Sequence, residues 1–288
     1  MNGDTTDSPN AEQQEYWSAT PSGRKWLTYE DHLDAAMAPI LDLVVQRAKL
    51  QPGERVIDIG CGTGASLLAA AERVGPTGDV LGLDIAEPFL ERAAARAAQA
   101  GLANVSVRQG DAQVASFDGP PRDVLISRFG MMFFADPQAA FANLSRALRP
   151  GGRMCFAAWG GFSSNPWFRL PFEAAADRLG TPPPADPDAP GPMGFQNAER
   201  VTGLMRAAGL QDVRCDSVDV LMTPMGRVED VATQCLRVGP AARLMRFFEG
   251  NQEDAAEIEQ DITRRLHEMI TSDGLRIPAQ INLFEARV

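Results

Sequence analysis

Short apolar runs alternate with helix-period segments along most of this chain. Val56-Ile57 ends a β-like run that starts at Glu54, and residues 65–74 then read as a helix. Residues 79–84 read as a second strand, and a helix is expected to begin near Glu87 and Pro88. Further strands are predicted at 105–109, 123–127, 153–159, 213–222 and 279–288. Before the first strand, Leu33, Met37, Ile40, Leu41, Val44, Val45 and Ala48 recur at helical spacing. Pro39 falls inside that pattern and is expected to kink or restart the helix, because it has no N–H. Residues 165–179 and 197–208 also read as helices, the second capped by Asn197 and ended by Gly209. The proline-rich stretch 181–192 between them bars helix and is expected to run over a substrate mouth.

The turn after the first strand carries the chemistry. In Asp58-Ile59-Gly60-Cys61-Gly62-Thr63-Gly64, alternate glycines let the backbone turn sharply and let a ligand touch the main chain. The helix behind it presents unpaired N–H groups. Gly60-x-Gly62-x-x-Ala65 also fits a dinucleotide fingerprint, with an acid about 20 residues later. Asp58 separates the two readings. A carboxylate there opposes a pyrophosphate but suits an ammonium group, as in the amino-acid tail of S-adenosylmethionine. Asp84 ends the second strand, where a doubly wound sheet binds ligands, and can accept from ribose hydroxyls or cap the next helix. Asp111, past the third strand, can accept from an adenine amino group or serve as a turn aspartate.

With these residues in place, the chain resembles the class I, seven-stranded S-adenosylmethionine-dependent methyltransferases. The motifs that carry the likeness are 56–64, Asp84, Gly110-Asp111-Ala112 and Leu148-Arg149-Pro150-Gly151-Gly152. They span residues 50–160. The resemblance implies an α/β, doubly wound Rossmann-like seven-stranded sheet with an antiparallel last strand. It implies S-adenosyl-L-methionine as cofactor, held at Asp58, Gly60, Cys61, Gly62, Gly64, Asp84, Ile85, Asp111, Ala112, Ser127 and Arg128. It also implies that residues 1–50 form a helical lid, with Trp26 over the adenosine, although the aromatic residues Tyr16, Trp17, Trp26 and Tyr29 suit a plain hydrophobic staple equally well. Residues 51–160 are then the donor-binding core and 161–288 the remainder, with a Pro-rich loop at 180–195. An inserted helical cap is expected at 224–277, where the family normally has a short hairpin. That insertion reads as a substrate cap or as a dimerisation element of a homodimer. Asn251 and Asp254 form an approximate capping box at its amphipathic helix, whose apolar face is Ile258, Ile262, Leu266, Met269 and Ile270.

Composition narrows the partners. The 288-residue chain has a net charge of −11 and scattered arginine pairs, which disfavours nucleic acid. It has no apolar run long enough for a membrane span and no signal-peptide core at its start. Four cysteines without close pairing or metal-ligand spacing point to reduced thiols in a cytoplasm and to no metal site. Only two histidines exist. His32, with Tyr29 and Glu30 beside it, is the candidate general base near the lid, and His267 ranks below it. Met131 to Phe134, Met193, Phe195, Met222, Met225, Met245, Phe247 and Phe248 suggest an apolar acceptor pocket, hence a lipid, quinone or polyketide-like small molecule. Two other functions fit the same loop. One is an NAD(P)-dependent oxidoreductase, and the other is a non-catalytic methyltransferase-like binding module.

Overall fold

The computed structural model describes residues 8–288; the first seven residues of the expected lid lie outside that range. Helices α1 (Ala11–Ala19), α2 (Pro21–Thr28) and α3 (Glu30–Ala48) come first. Then follow β1 (Arg55–Ile59), α4 (Ala65–Val74), β2 (Asp79–Asp84), α5 (Glu87–Gln99), β3 (Val105–Gln109), β4 (Arg122–Arg128), α6 (Pro137–Ser145) and β5 (Leu148–Trp159). The remainder is α7 (Pro166–Leu179), α8 (Ala198–Ala207), β6 (Gln211–Met222), α9 (Val228–Arg237), α10 (Pro240–Phe247), α11 (Gln252–His267), the small hairpin β7 (Ile270–Thr271) and β8 (Gly274–Leu275), and β9 (Ile277–Arg287). No described helix is long and apolar enough to cross a membrane.

The seven-stranded sheet has the order β3-β2-β1-β4-β5-β9-β6. The first five strands are parallel, and β9 runs antiparallel to both β5 and β6. Val56, Ile57, Ile59, Val124, Leu125, Ile126 and the end of β5 are buried, as expected for central strands covered on both faces. Strand order reverses at β1, so a crevice opens beyond its carboxyl end, where the glycine loop sits. Two glycines let that loop meet the one after β4. Gly60 has φ +64°, and a Cβ on it would lie 2.6 Å from the Gly130 Cα; a Cβ on Gly130 would lie 2.4 Å from the Ile59 carbonyl oxygen. Any side chain at either position would push the two loops apart.

Several expectations are corrected. Helix α3 runs unbroken through Pro39. The carbonyl that proline leaves without a helical partner belongs to Ala35, and the Thr223 hydroxyl donates to it at 2.8 Å. The Thr223 N–H donates to the neighbouring Ala36 carbonyl at 3.2 Å. Strand β5 starts five residues before the predicted 153–159, so Arg149-Pro150-Gly151-Gly152 lies within it, at a register shift against β4. Helix α11 stops at His267, so Met269 and Ile270 leave its apolar face, and Ile270 is exposed in the hairpin. Its capping box is complete, with the Asn251 side chain accepting from the Asp254 N–H and Asp254 accepting from the Asn251 N–H.

Between β6 and β9, helices α9 to α11 form one packed unit that rests on α7. Val231, Ala232, Cys235, Ala241, Leu244, Ile258, Ile262 and Leu266 are among its buried positions. At the rim, Arg178 pairs with Asp254 and Glu257, and Arg265 with Glu173 and Asp177. Such solvent-facing pairs are screened by water and salt, so the apolar stripe carries the docking.

Candidate active site

A cavity of about 250 Å³ opens at the carboxyl ends of the parallel strands. Its floor is the glycine loop Gly60 to Thr63, Leu83 to Ile85 after β2, and Gly110 to Ala112 after β3. One wall is aromatic, with Phe129, Trp159, Trp167 and Phe168. Phe129 and Trp159 stack with centroids 4.3 Å apart, and Phe168 meets Trp159 edge-on at 4.9 Å. The roof comes from the first helices. Trp17 sits edge-on to Trp26 and Phe133, at 5.8 and 5.4 Å. The cap reaches the cavity through Val238, Gly239 and Pro240, and the Pro-rich loop through Pro192.

Asp84 lines the floor with both oxygens engaged. Gly62 N–H donates to Oδ2 at 2.8 Å and Ala86 N–H to Oδ1 at 2.9 Å. Burial raises its pKa, and those backbone donors partly offset the shift. Each oxygen keeps a second lone pair for a ligand donor.

Asp58 is fully buried and is not itself part of the cavity wall. Its Oδ2 accepts from the Ser66 hydroxyl at 2.6 Å, and Ser66 does line the cavity. Its Oδ1 has no hydrogen-bond partner. Burial pushes the Asp58 carboxyl up to about 7, against the Ser66 hydrogen bond and the positive field of Arg128, while Asp84 raises it further. Arg128, at the end of β4, lines the cavity and is 11% exposed. Its Nη2 donates to Asp34 at 3.0 Å, whereas its buried Nη1 has no partner. The two oppositely charged groups are not in direct contact, and each keeps one unused hydrogen-bonding atom.

Asp111 is saturated from within the chain. It accepts from the Ser8 hydroxyl at 2.7 Å, from Asn10 Nδ2 at 2.9 and 3.0 Å, and from the Gln113 N–H at 2.9 Å. Asn10 is 5% exposed, and its Oδ1 accepts from the Ala135 N–H at 2.8 Å. The carboxylate thus anchors the segment before α1, a role its position in the sequence did not suggest.

The cavity brings together Trp26, Gly60, Cys61, Gly62, Asp84, Ile85, Asp111, Ala112 and Arg128. It does not include Gly64, which precedes α4 at φ +96°. Ser127 is behind the wall, where its hydroxyl donates to the Ile59 carbonyl at 2.7 Å and accepts from Gly130 N–H at 3.1 Å. His32 and Tyr29 are outside it too. Leu33 and Met37 form the cavity face of α3, so residue 32 is rotated about 100° away and lies against Gly226. Glu30 is buried but held by Arg92. Burial raises the Cys61 thiol well above its usual range, which keeps it protonated.

Of the residues expected to line an acceptor pocket, Met132, Phe133 and Phe134 do so. Phe195 instead packs between Phe141, Phe156 and Phe284, Met222 is core, and Met225 and Phe247 are on the surface. Asn10, Ser66, Trp159 and Phe168 are site residues that reading the sequence missed. Asn10 carried no signal, whereas Trp159, at the end of a predicted strand, could have been found from its place at the carboxyl edge.

A family profile described as a methyltransferase domain matches residues 50–164. Over that segment the chain is similar to methyltransferase domains. Nocamycin O-methyltransferase from Saccharothrix syringae is 47% identical over 40% of this chain and 40% of its own length. Aklanonic acid methyltransferase DauC from Streptomyces sp. (strain C5) is 41% identical over 37% of this chain and 48% of its own. Demethylmenaquinone methyltransferase from Geobacillus kaustophilus is 34% identical over 38% and 47%. The chain thus matches less than half the length of each of these relatives. Among solved structures, Haemonchus contortus phosphoethanolamine N-methyltransferase 2, in complex with S-adenosyl-L-methionine, shares the fold with a TM-score of 0.59 at 18% identity, over 98% of this chain and 60% of that one. A SAM-dependent methyltransferase from Aquifex aeolicus shares it with a TM-score of 0.51 at 18% identity, over 69% and 92%.

Proposed function

We propose that the chain transfers a methyl group from S-adenosylmethionine to a small, flat, largely apolar acceptor. The carrying observation is the bond from Gly62 N–H to Asp84. A dinucleotide turn offers that N–H to a pyrophosphate. Here a carboxylate already holds it, with a second buried carboxylate, Asp58, behind the same loop. A phosphate pair would face Asp84 in the cavity, with Asp58 buried behind the loop, which argues against the nicotinamide reading.

The residues present fit the methyl donor. Asp84 is placed for ribose hydroxyls, with Ile85, Ala112 and Phe89 as apolar walls for the base. The unused Oδ1 of Asp58 and Nη1 of Arg128 match the ammonium and carboxylate of an α-amino acid. When bound, the sulfonium supplies an electrophilic methyl carbon. The chain's own task is to align an acceptor atom with it and exclude water. Phe129, Trp159, Trp167 and Phe168 offer an aromatic wall against which one face of a planar ring can lie, while Trp17 and Trp26 close the roof. Alignment of this kind contributes on the order of 7–11 kcal/mol in favourable cases. Similarity to a nocamycin O-methyltransferase, an aklanonic acid methyltransferase and a demethylmenaquinone methyltransferase supports a small-molecule acceptor of polyketide or quinone type.

The test is transfer of a labelled methyl group from S-adenosylmethionine by the full chain to a panel of hydroxylated quinones, aromatic polyketides and aliphatic alcohols. Methylation confined to the flat compounds supports the reading. Methylation of the alcohols alone would contradict the aromatic wall as acceptor site.

A further inference from the structure

We infer that Asp34 on α3 is a positioning residue for the donor's amino-acid tail, holding the Arg128 guanidinium so that Nη1 stays free for the tail's carboxylate. The inference rests on the methyl-donor reading above and extends it to a helix outside residues 50–164.

Five charged side chains alternate in sign towards the cavity. Arg92 grips Glu30 through Nε and Nη2, at 2.9 and 2.8 Å. Arg96 Nη1 is 3.6 Å from the same Glu30 and 2.9 Å from Asp34 Oδ2. Asp34 Oδ1 accepts from Arg128 Nη2 at 3.0 Å. Glu30 and Asp34 are one turn apart on α3, and Arg92 and Arg96 are one turn apart on α5, so the two helices present matching faces. Arg96 also donates to the Thr63 carbonyl at 3.1 Å, which ties the same network to the glycine loop.

The network has three guanidiniums and two carboxylates, and its last member is the one that lines the cavity. Arg128 therefore brings a positive charge and an unfilled, buried N–H to the site. A guanidinium is a rigid fork, so fixing one arm on Asp34 fixes the direction of the other. Without Asp34 the fork would be free to turn and to pair elsewhere, while the adenosine end of the cavity, built on Asp84 and Ala112, would be untouched.

This predicts a loss selective for the tail. Calorimetry on the full chain with S-adenosylhomocysteine, and with 5′-methylthioadenosine, which lacks the amino-acid tail, separates the two ends. Asp34→Asn should weaken S-adenosylhomocysteine about tenfold and leave 5′-methylthioadenosine within about twofold. Arg128→Lys should do the same, and the double variant should be no worse than the poorer single one. Retained binding of 5′-methylthioadenosine reports that each variant is folded. Unchanged binding of S-adenosylhomocysteine by Asp34→Asn, an equal loss for both ligands, or additive losses in the double variant would each overturn the inference. A wild-type chain that binds neither nucleoside would instead remove the methyl-donor reading itself.

Discussion

Binding of S-adenosylhomocysteine is expected to tighten as pH rises from 6 to 8, because the buried carboxyl of Asp58, which is proposed to meet the donor's ammonium, must ionise. Burial places Asp58 at about 7, above its usual 3.8. At pH 6, one unit below, only about one site in ten is ionised; at pH 8 about nine in ten are. An ammonium beside the unused Oδ1 favours the ionised form, so apparent affinity scales with that fraction. The expected gain is about tenfold, or about 1.4 kcal/mol. The sign for stability is opposite. With its folded pKa raised, Asp58 contributes stability that is fully present below about pH 4 and is lost as pH climbs towards 7. The unliganded protein therefore loses this contribution over the same range in which it gains ligand affinity. Calorimetry at both pH values, repeated in buffers of different ionisation enthalpy, reads the affinity and the released proton together. Asp58→Asn should flatten the pH dependence and abolish proton release, separating Asp58 from Asp84, which burial shifts in the same direction. Equal affinity at pH 6 and 8 with no proton released would refute the reasoning.

Other consequences are open to simpler tests. Asp84→Ala removes the proposed ribose acceptors and frees the Gly62 N–H, so S-adenosylhomocysteine should bind roughly 10- to 100-fold more weakly by calorimetry; unchanged affinity would remove Asp84 from the site. Asn10→Ala breaks the link from Asp111 to the Ala135 N–H, and stopped-flow fluorescence of the roof tryptophans should show several-fold faster ligand release with little change in melting temperature. Thr223→Val leaves the Ala35 carbonyl unsatisfied beside Pro39 and should lower unfolding free energy by about 1–3 kcal/mol in urea titration. Gly130→Ala forces a methyl group into the Ile59 carbonyl and should destabilise more than Gly203→Ala, where the added carbon meets nothing within 4 Å.

Features set by neighbouring residues were legible in the sequence. The strand–glycine–helix unit at 56–74 and the strand-end acid Asp84 depend on local periodicity and on one turn, and the structure places them as the spacing implies. Features that depend on distant partners were not. Pro39 looked like a break because the hydroxyl that satisfies Ala35 lies on Thr223, beyond β6. Asp111 looked like a free acceptor because nothing in Ser8-Pro9-Asn10 shows that this segment folds back onto it. His32 is close to the lid along the chain, but the helix phase set by Leu33 and Met37 turns it away from the cavity. The methionines and phenylalanines of the cap are chemically suited to a pocket, but only their packing reveals that Phe195 and Met222 fill the core instead.

Direct titration of the full chain with S-adenosylhomocysteine and, in parallel, with NADH and NADPH bears most heavily on the methyl-donor site. Saturable one-to-one binding of the thioether nucleoside, with no heat from either dinucleotide, is the predicted result. Uptake of a nicotinamide dinucleotide without any response to S-adenosylhomocysteine would contradict the account.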